Sequence, residues 1–81
     1  MVNQIITIDL HEYSVTDAKQ KLQATLKFAP KETREIIVIH GYHGGTALRD
    51  MVRKEFKNKR IKRKYISLNP GITSLILSCN L

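Results

Sequence analysis

Asp9 and His11 stand two residues apart where the β-branched run "NQIITIDL" gives way to "HEYS", and His40 and His43 both fall in the stretch "HGYHGGT". These are the residues of the chain best suited to moving protons. Two apart on a strand end, Asp9 and His11 point to the same face of a sheet. A carboxylate beside an imidazole fixes the ring's tautomer and raises its basicity, which prepares a general acid or base. Asp9 also has a plainer reading, as a polar strand-end residue bonding the amides of the following turn. Ligation of a metal by Asp9, His11 and His40 is a third reading, but it has neither a nearby cysteine nor a known ligand spacing behind it, so no metal site is expected.

The glycines suggest what such groups would act on. Gly41, Gly44 and Gly45 permit backbone conformations closed to other residues and a close approach to a ligand. A helix starting just after them turns free N–H groups and a positive dipole end to the same place. With Thr46 they form a candidate cradle for a phosphate. It is not a Walker loop, since "GYHGGT" has neither the glycine spacing nor the lysine of that motif. Arg49, one turn into the helix, is placed either to fork onto a phosphate or to stand as an ordinary exposed helix residue. Tyr13 and Tyr42 flank the histidines, as groups on which bases stack or as a packing rim.

Charge is distributed unevenly. The net charge is +7, yet residues 1–48 hold five basic and five acidic side chains, and residues 65–81 hold none of either. The excess lies in "RDMVRKEFKNKRIKRK", with nine basic residues against Asp50 and Glu55. A basic strip beside a neutral body is the footprint of a polyanion binder, because Lys and Arg on phosphates release condensed counterions. Arg53, Lys54, Lys57, Arg60, Lys62 and Arg63 are its candidate phosphate contacts. A solvated helix face that only keeps the protein in solution is the plainer alternative.

The elements that position these groups follow from periodicity. Gln4 to Leu10 reads as a strand. "SVTDAKQKLQATLKFA" sets Val15, Ala18, Leu22, Leu26 and Ala29 at helical spacing, with Ser14 as N-cap, Asp17 in the capping-box position and Pro30 as the stop. "REIIVIH" reads as a strand buried on both faces. "TALRDMVRKEFKN" reads as a second helix with Leu48, Met51, Val52 and Phe56 on one side. "KYISL" and "SLILSC" read as two strands around the turn "NPGIT". The order β-α-β-α-β-β implies right-handed crossovers, so the loops after the first three strands share one edge of the sheet if the third strand is parallel to the second. Ligands of open α/β sheets bind at that carboxyl edge, and all three histidines lie in its loops.

Eighty-one residues suit one domain, taken as 1–81. Cys79 has no partner for a disulfide and reads as a small buried hydrophobe. No secretory signal or membrane span is visible, so a cytoplasmic monomer is expected.

"TIDLHEYSVTDAKQKL" followed by "IVIHGYHGGTALRDMVR" resembles the Smr, or small MutS-related, domain, whose hallmarks are an L-D-L-H-G motif and a later H-G-x-G-x-G-x-L-R loop. The likeness covers nearly the whole chain. It implies an α/β two-layer sandwich, with a mixed four-stranded sheet and two helices, similar to the C-terminal domain of bacterial translation initiation factor three. It also implies nucleic-acid binding, and for some members nicking of DNA or cleavage of RNA. Carried across, the first motif falls on Ile8, Asp9, Leu10 and His11, and the second on His40, Gly41, Gly44, Leu48 and Arg49. Glu12 replaces the family's glycine, and the loop is one residue longer than the common form.

Two functions follow as expectations. One is an endonuclease acting on RNA or DNA, in which His11 poised by Asp9 takes a proton while His40 or His43 assists the leaving group. It would need no cofactor, save a divalent metal if DNA is hydrolysed. The other is a non-catalytic module docking on RNA or a ribonucleoprotein such as the ribosome, which Glu12 favours. A small-molecule phosphate site would leave the basic strip without a purpose.

Overall fold

The computed structural model describes residues 4–41 and 47–78. Along the chain run strand β1 (Gln4–Asp9), helix α1 (Val15–Phe28), strand β2 (Thr33–Ile39), helix α2 (Ala47–Asp50), a π-helical turn continuing it over Met51–Glu55, then strands β3 (Ile61–Ile66) and β4 (Ile72–Leu77). The strands form one mixed sheet in the order β1-β2-β4-β3. β1 and β2 are parallel, and β4 runs antiparallel to both β2 and β3. β3 therefore points the same way as β2, which brings the loops leaving β1, β2 and β3 to one edge. The crossover from β2 skips one position, and β4 turns back to fill it.

Both crossovers step in the same direction across the sheet, so handedness puts both helices on one face. α1 starts where Ser14 accepts a hydrogen bond from the Asp17 N–H at 3.1 Å. It stops because Ala29, preceding Pro30, is extended (φ −66°, ψ 136°). Its Ala18, Leu22 and Leu26 pack with Met51, Val52 and Phe56 onto Ile36 and Val38 of β2 and Leu75 and Leu77 of β4. Ile6 and Ile8 of β1 complete this layer from the side.

The opposite parity of each strand faces away from the helices. The apolar run of "REIIVIH" suggests burial on both faces, but Ile37 and Ile39 are only half-buried and belong to an open face. Its rows run Ile5, Glu35, Ile76, Arg63, then Thr7, Ile37, Ser74, Tyr65, then Asp9, Ile39, Ile72.

Several boundaries depart from the periodicity, three of them for instructive reasons. β3 starts at Ile61 rather than Lys64, because "IKRK" is a strand whose charges read as a solvated run. A register shift between Ile61 and Arg63 puts Lys64 beside Leu75 on the core face. From there the stem covers apolar surface and the ammonium donates to the Phe56 carbonyl at the rim. β4 starts at Ile72 rather than Ser74, because the Asn69 side chain accepts from the Gly71 N–H at 2.9 Å and closes the turn early. The second helix ends at Glu55, where Phe56 becomes extended (φ −71°, ψ 127°) while its N–H still reaches the Met51 carbonyl. Among the described residues no helix is long and apolar enough to cross a membrane.

Candidate functional site

At the carboxyl edge the three loops are tied together by backbone bonds. Leu10 N–H donates to the Ile39 carbonyl at 2.7 Å, and the N–H groups of His40 and Gly41 both donate to the Gly71 carbonyl, at 2.9 and 3.0 Å. Gly41 has φ +74°, and a Cβ there would stand 3.2 Å from the His11 Cβ. Only glycine meets both demands without strain. The exit of β2 thus packs directly on the histidine that follows β1.

That histidine is held by its neighbours in sequence. Asp9 Oδ1 accepts from His11 Nδ1–H at 2.5 Å and from the His11 backbone N–H at 3.1 Å, so one oxygen both orients the ring and caps the turn. The bond to the ring and the bond to the turn amide thus share one oxygen. His11 Nε2 lies 3.4 Å from Glu12 Oε2, and the His11 and Asp9 side chains are about half exposed (54% and 52%). The hydrogen bond to Asp9, then its charge, raise the His11 pKa above its ordinary 6.5, and Glu12 adds to the rise. The same bond holds Asp9 below the usual carboxylate range. The arrangement can take up a proton at Nε2 and keep it.

His40 is placed quite differently. It is buried, with Nδ1 2.9 Å from the Gly41 carbonyl and Nε2 2.9 Å from Thr73 Oγ1, while Arg53 Nε donates to that same hydroxyl at 2.7 Å. These partners assign one proton pattern. Arg53 donates to Thr73, Thr73 donates to His40 Nε2, and His40 Nδ1–H donates to Gly41. Burial, then the charges of Arg53 and Arg49, push the His40 pKa below 6.5 against the Gly41 bond, which keeps the ring neutral. Both ring nitrogens are committed to holding the Gly41 carbonyl at the start of the loop. Thr73 escapes the sequence reading. Its only trace is a polar residue at a core-face position of β4, visible once that strand's register is known.

The basic strip divides in two. Arg49 is half-buried against Asp50 at 3.4 Å, and Arg53 spends its guanidinium on Thr73 and the Ile72 carbonyl. Arg60 donates to the Leu26, Ala29 and Pro30 carbonyls and so closes the C-terminal end of α1. Lys54, Lys57, Lys62 and Arg63 are exposed. β3 begins at the edge opposite His11, so Lys57 and Lys62 stand about 17 Å away along the strand direction at 3.3 Å per residue. The exposed cations lead away from the loop rather than encircling it. His43, Gly44, Gly45 and Thr46 of the candidate cradle lie outside the described residues, as do Tyr42 and Cys79. Among the described residues no three His, Cys, Asp or Glu side chains are grouped to hold a metal ion.

The Smr domain family model matches residues 8–71. This chain is a member of the Smr family. The matched span runs from Ile8, at the first motif, to Gly71, whose carbonyl ties the second motif in place. The Smr fold is seen directly in the crystal structure of the Smr domain of Thermus thermophilus MutS2. That structure is similar with a TM-score of 0.76 and 23% identity, over 90% of this chain and 98% of the other. No curated protein matches the chain.

Proposed function

We propose that this Smr domain binds nucleic acid, RNA ahead of DNA, across the carboxyl edge of its sheet, and that the Asp9–His11 pair acts there on a phosphodiester. The observation behind this reading is the contact of the two motifs. The oriented imidazole of His11 stands against Gly41, the first residue of the glycine loop, and the charges of Arg49 and Arg53 reach His40 beside it. In cleavage of RNA, His11 Nε2 takes the proton of a 2′-hydroxyl as its oxygen attacks the phosphorus, and the bond to the 5′ oxygen breaks. Positioned proton transfer of this kind contributes about a hundredfold to ten-thousandfold. His40, buried and with both nitrogens engaged, serves as a positioning residue for the loop. The departing oxygen then receives its proton from His43 or water. Lys54, Lys57 and Lys62 follow the backbone beyond the site.

The test is incubation of the purified protein with end-labelled hairpin and single-stranded RNA and with supercoiled DNA, with and without EDTA, beside a His11→Ala control. Cleavage that vanishes in the control establishes the nuclease, and EDTA sensitivity separates hydrolysis of DNA from 2′-hydroxyl attack. One observation favours a second reading, docking without cleavage: the Glu12 carboxylate faces the nitrogen that would take the proton. On that reading RNA is retarded intact, and Glu12→Gly does not create cleavage.

A further inference from the structure

The sheet has a second face that no helix of the described residues covers. Ile37, Ile72 and Ile76 lie on it outside the core, and Tyr65 beside them is 62% exposed. Contiguous apolar surface on a small domain marks a docking surface. The charges on it narrow the choice of partner. Glu35 and Arg63 flank Ile76 in one cross-strand row, about 10 Å apart across two strand spacings. Neither has an ion-pair partner among the described residues. The Glu35 carboxylate on this face also disfavours a phosphate backbone beside it.

The row is complementary to itself. A two-fold axis parallel to β4 and in front of the face lays β2 of one copy over β3 of the other. Glu35 then meets Arg63 of the second copy, and Arg63 meets its Glu35. In the next row Ile37 meets Tyr65 of the second copy, while Ile76 and Ile72 each meet their own counterparts. We propose that two copies of the chain pair through this face as an isologous sheet-on-sheet dimer, with the sheets about 10 Å apart. The contact is three strands wide, below the size of a standard interface, so the dimer is weak, micromolar or looser. β1 overhangs the contact and leaves Asp9 and His11 open. The axis keeps both carboxyl edges pointing the same way, with the two sites on one rim roughly 20 Å apart. Such a pair would engage one polyanion at two points and gain avidity.

Sedimentation velocity from micromolar to millimolar protein tests this. The wild type is expected to dimerise with rising concentration. Glu35→Arg and Arg63→Glu should each loosen the dimer by at least about tenfold, because each puts like charges together twice. The double reversal should restore it. Arg63 is exposed and Glu35 half-buried on the open face, and circular dichroism verifies that the variants fold. A wild type that stays monomeric at millimolar concentration overturns the proposal. So does a dimer indifferent to the single reversals, or one that the double reversal fails to restore.

Discussion

Replacing Thr73 by valine keeps the side chain's shape and removes one hydroxyl, which in this fold serves two partners at once. His40 Nε2, inside the core, loses its donor, and Arg53 Nε loses its acceptor. A buried polar atom left without a partner costs about 1–3 kcal/mol. The half-buried guanidinium can turn to water, so its loss adds at most about 1 kcal/mol. The sum is roughly 1–4 kcal/mol. In a domain of this size each kcal/mol lowers the melting temperature by about 4–8 °C, so a loss near the middle of that range, about 2 kcal/mol, lowers it by roughly 8–16 °C. Urea titration followed by circular dichroism is the assay. The midpoint should fall with the slope unchanged, and Thr73→Ser should recover most of the loss. A loss under about 0.5 kcal/mol for Thr73→Val would show that the Arg53–Thr73–His40 chain does not hold the loop.

Gly41→Ala should cost about 1–2 kcal/mol, because φ +74° is closed to alanine and the added methyl meets the His11 Cβ at 3.2 Å; a thermal melt measures it. NMR titration of the His11 ring should give a midpoint above 6.5, lowered strongly by Asp9→Asn and less by Glu12→Gln. Since the folded value is the raised one, this pair favours the folded state below about 6.5 for as long as Asp9 stays ionised, and loses that effect as pH rises through the folded value. Arg60→Ala should cost about 1 kcal/mol of stability in a urea titration by uncapping α1, with little effect on RNA affinity. Lys62→Ala should do the reverse, leaving stability alone, weakening RNA binding and reducing its salt slope by about one in a filter-binding series.

The helix α1 was legible to within a residue because its signals are local: a serine cap, three- and four-residue spacing, and a terminal proline. β1 and β2 were legible from β-branched runs. β3 was displaced because Lys62, Arg63 and Lys64 look like solvent-facing charge, and only the sheet shows that Lys64 lays its stem along Leu75. Nor does local sequence reveal that β4 lies between β2 and β3, since strand order is a non-local property. Asp9 and His11 are two residues apart, so their contact was readable. The environment of His40 was not, because it depends on Thr73, 33 residues away. The basic strip likewise reads as one feature in sequence but separates into cations that close helix ends or hold loops and cations that remain exposed.

The claim that nucleic acid lies against the oriented His11 is tested most directly by titrating isotopically labelled protein with a short RNA and following backbone amide shifts. Asp9 to Glu12, Gly41, Arg49 and Gly71 are expected to shift first and most, with Lys57 and Lys62 following as the RNA is lengthened. Shifts confined to the Lys57 to Lys62 end, with the residues around His11 and Gly41 unmoved at saturation, would contradict it.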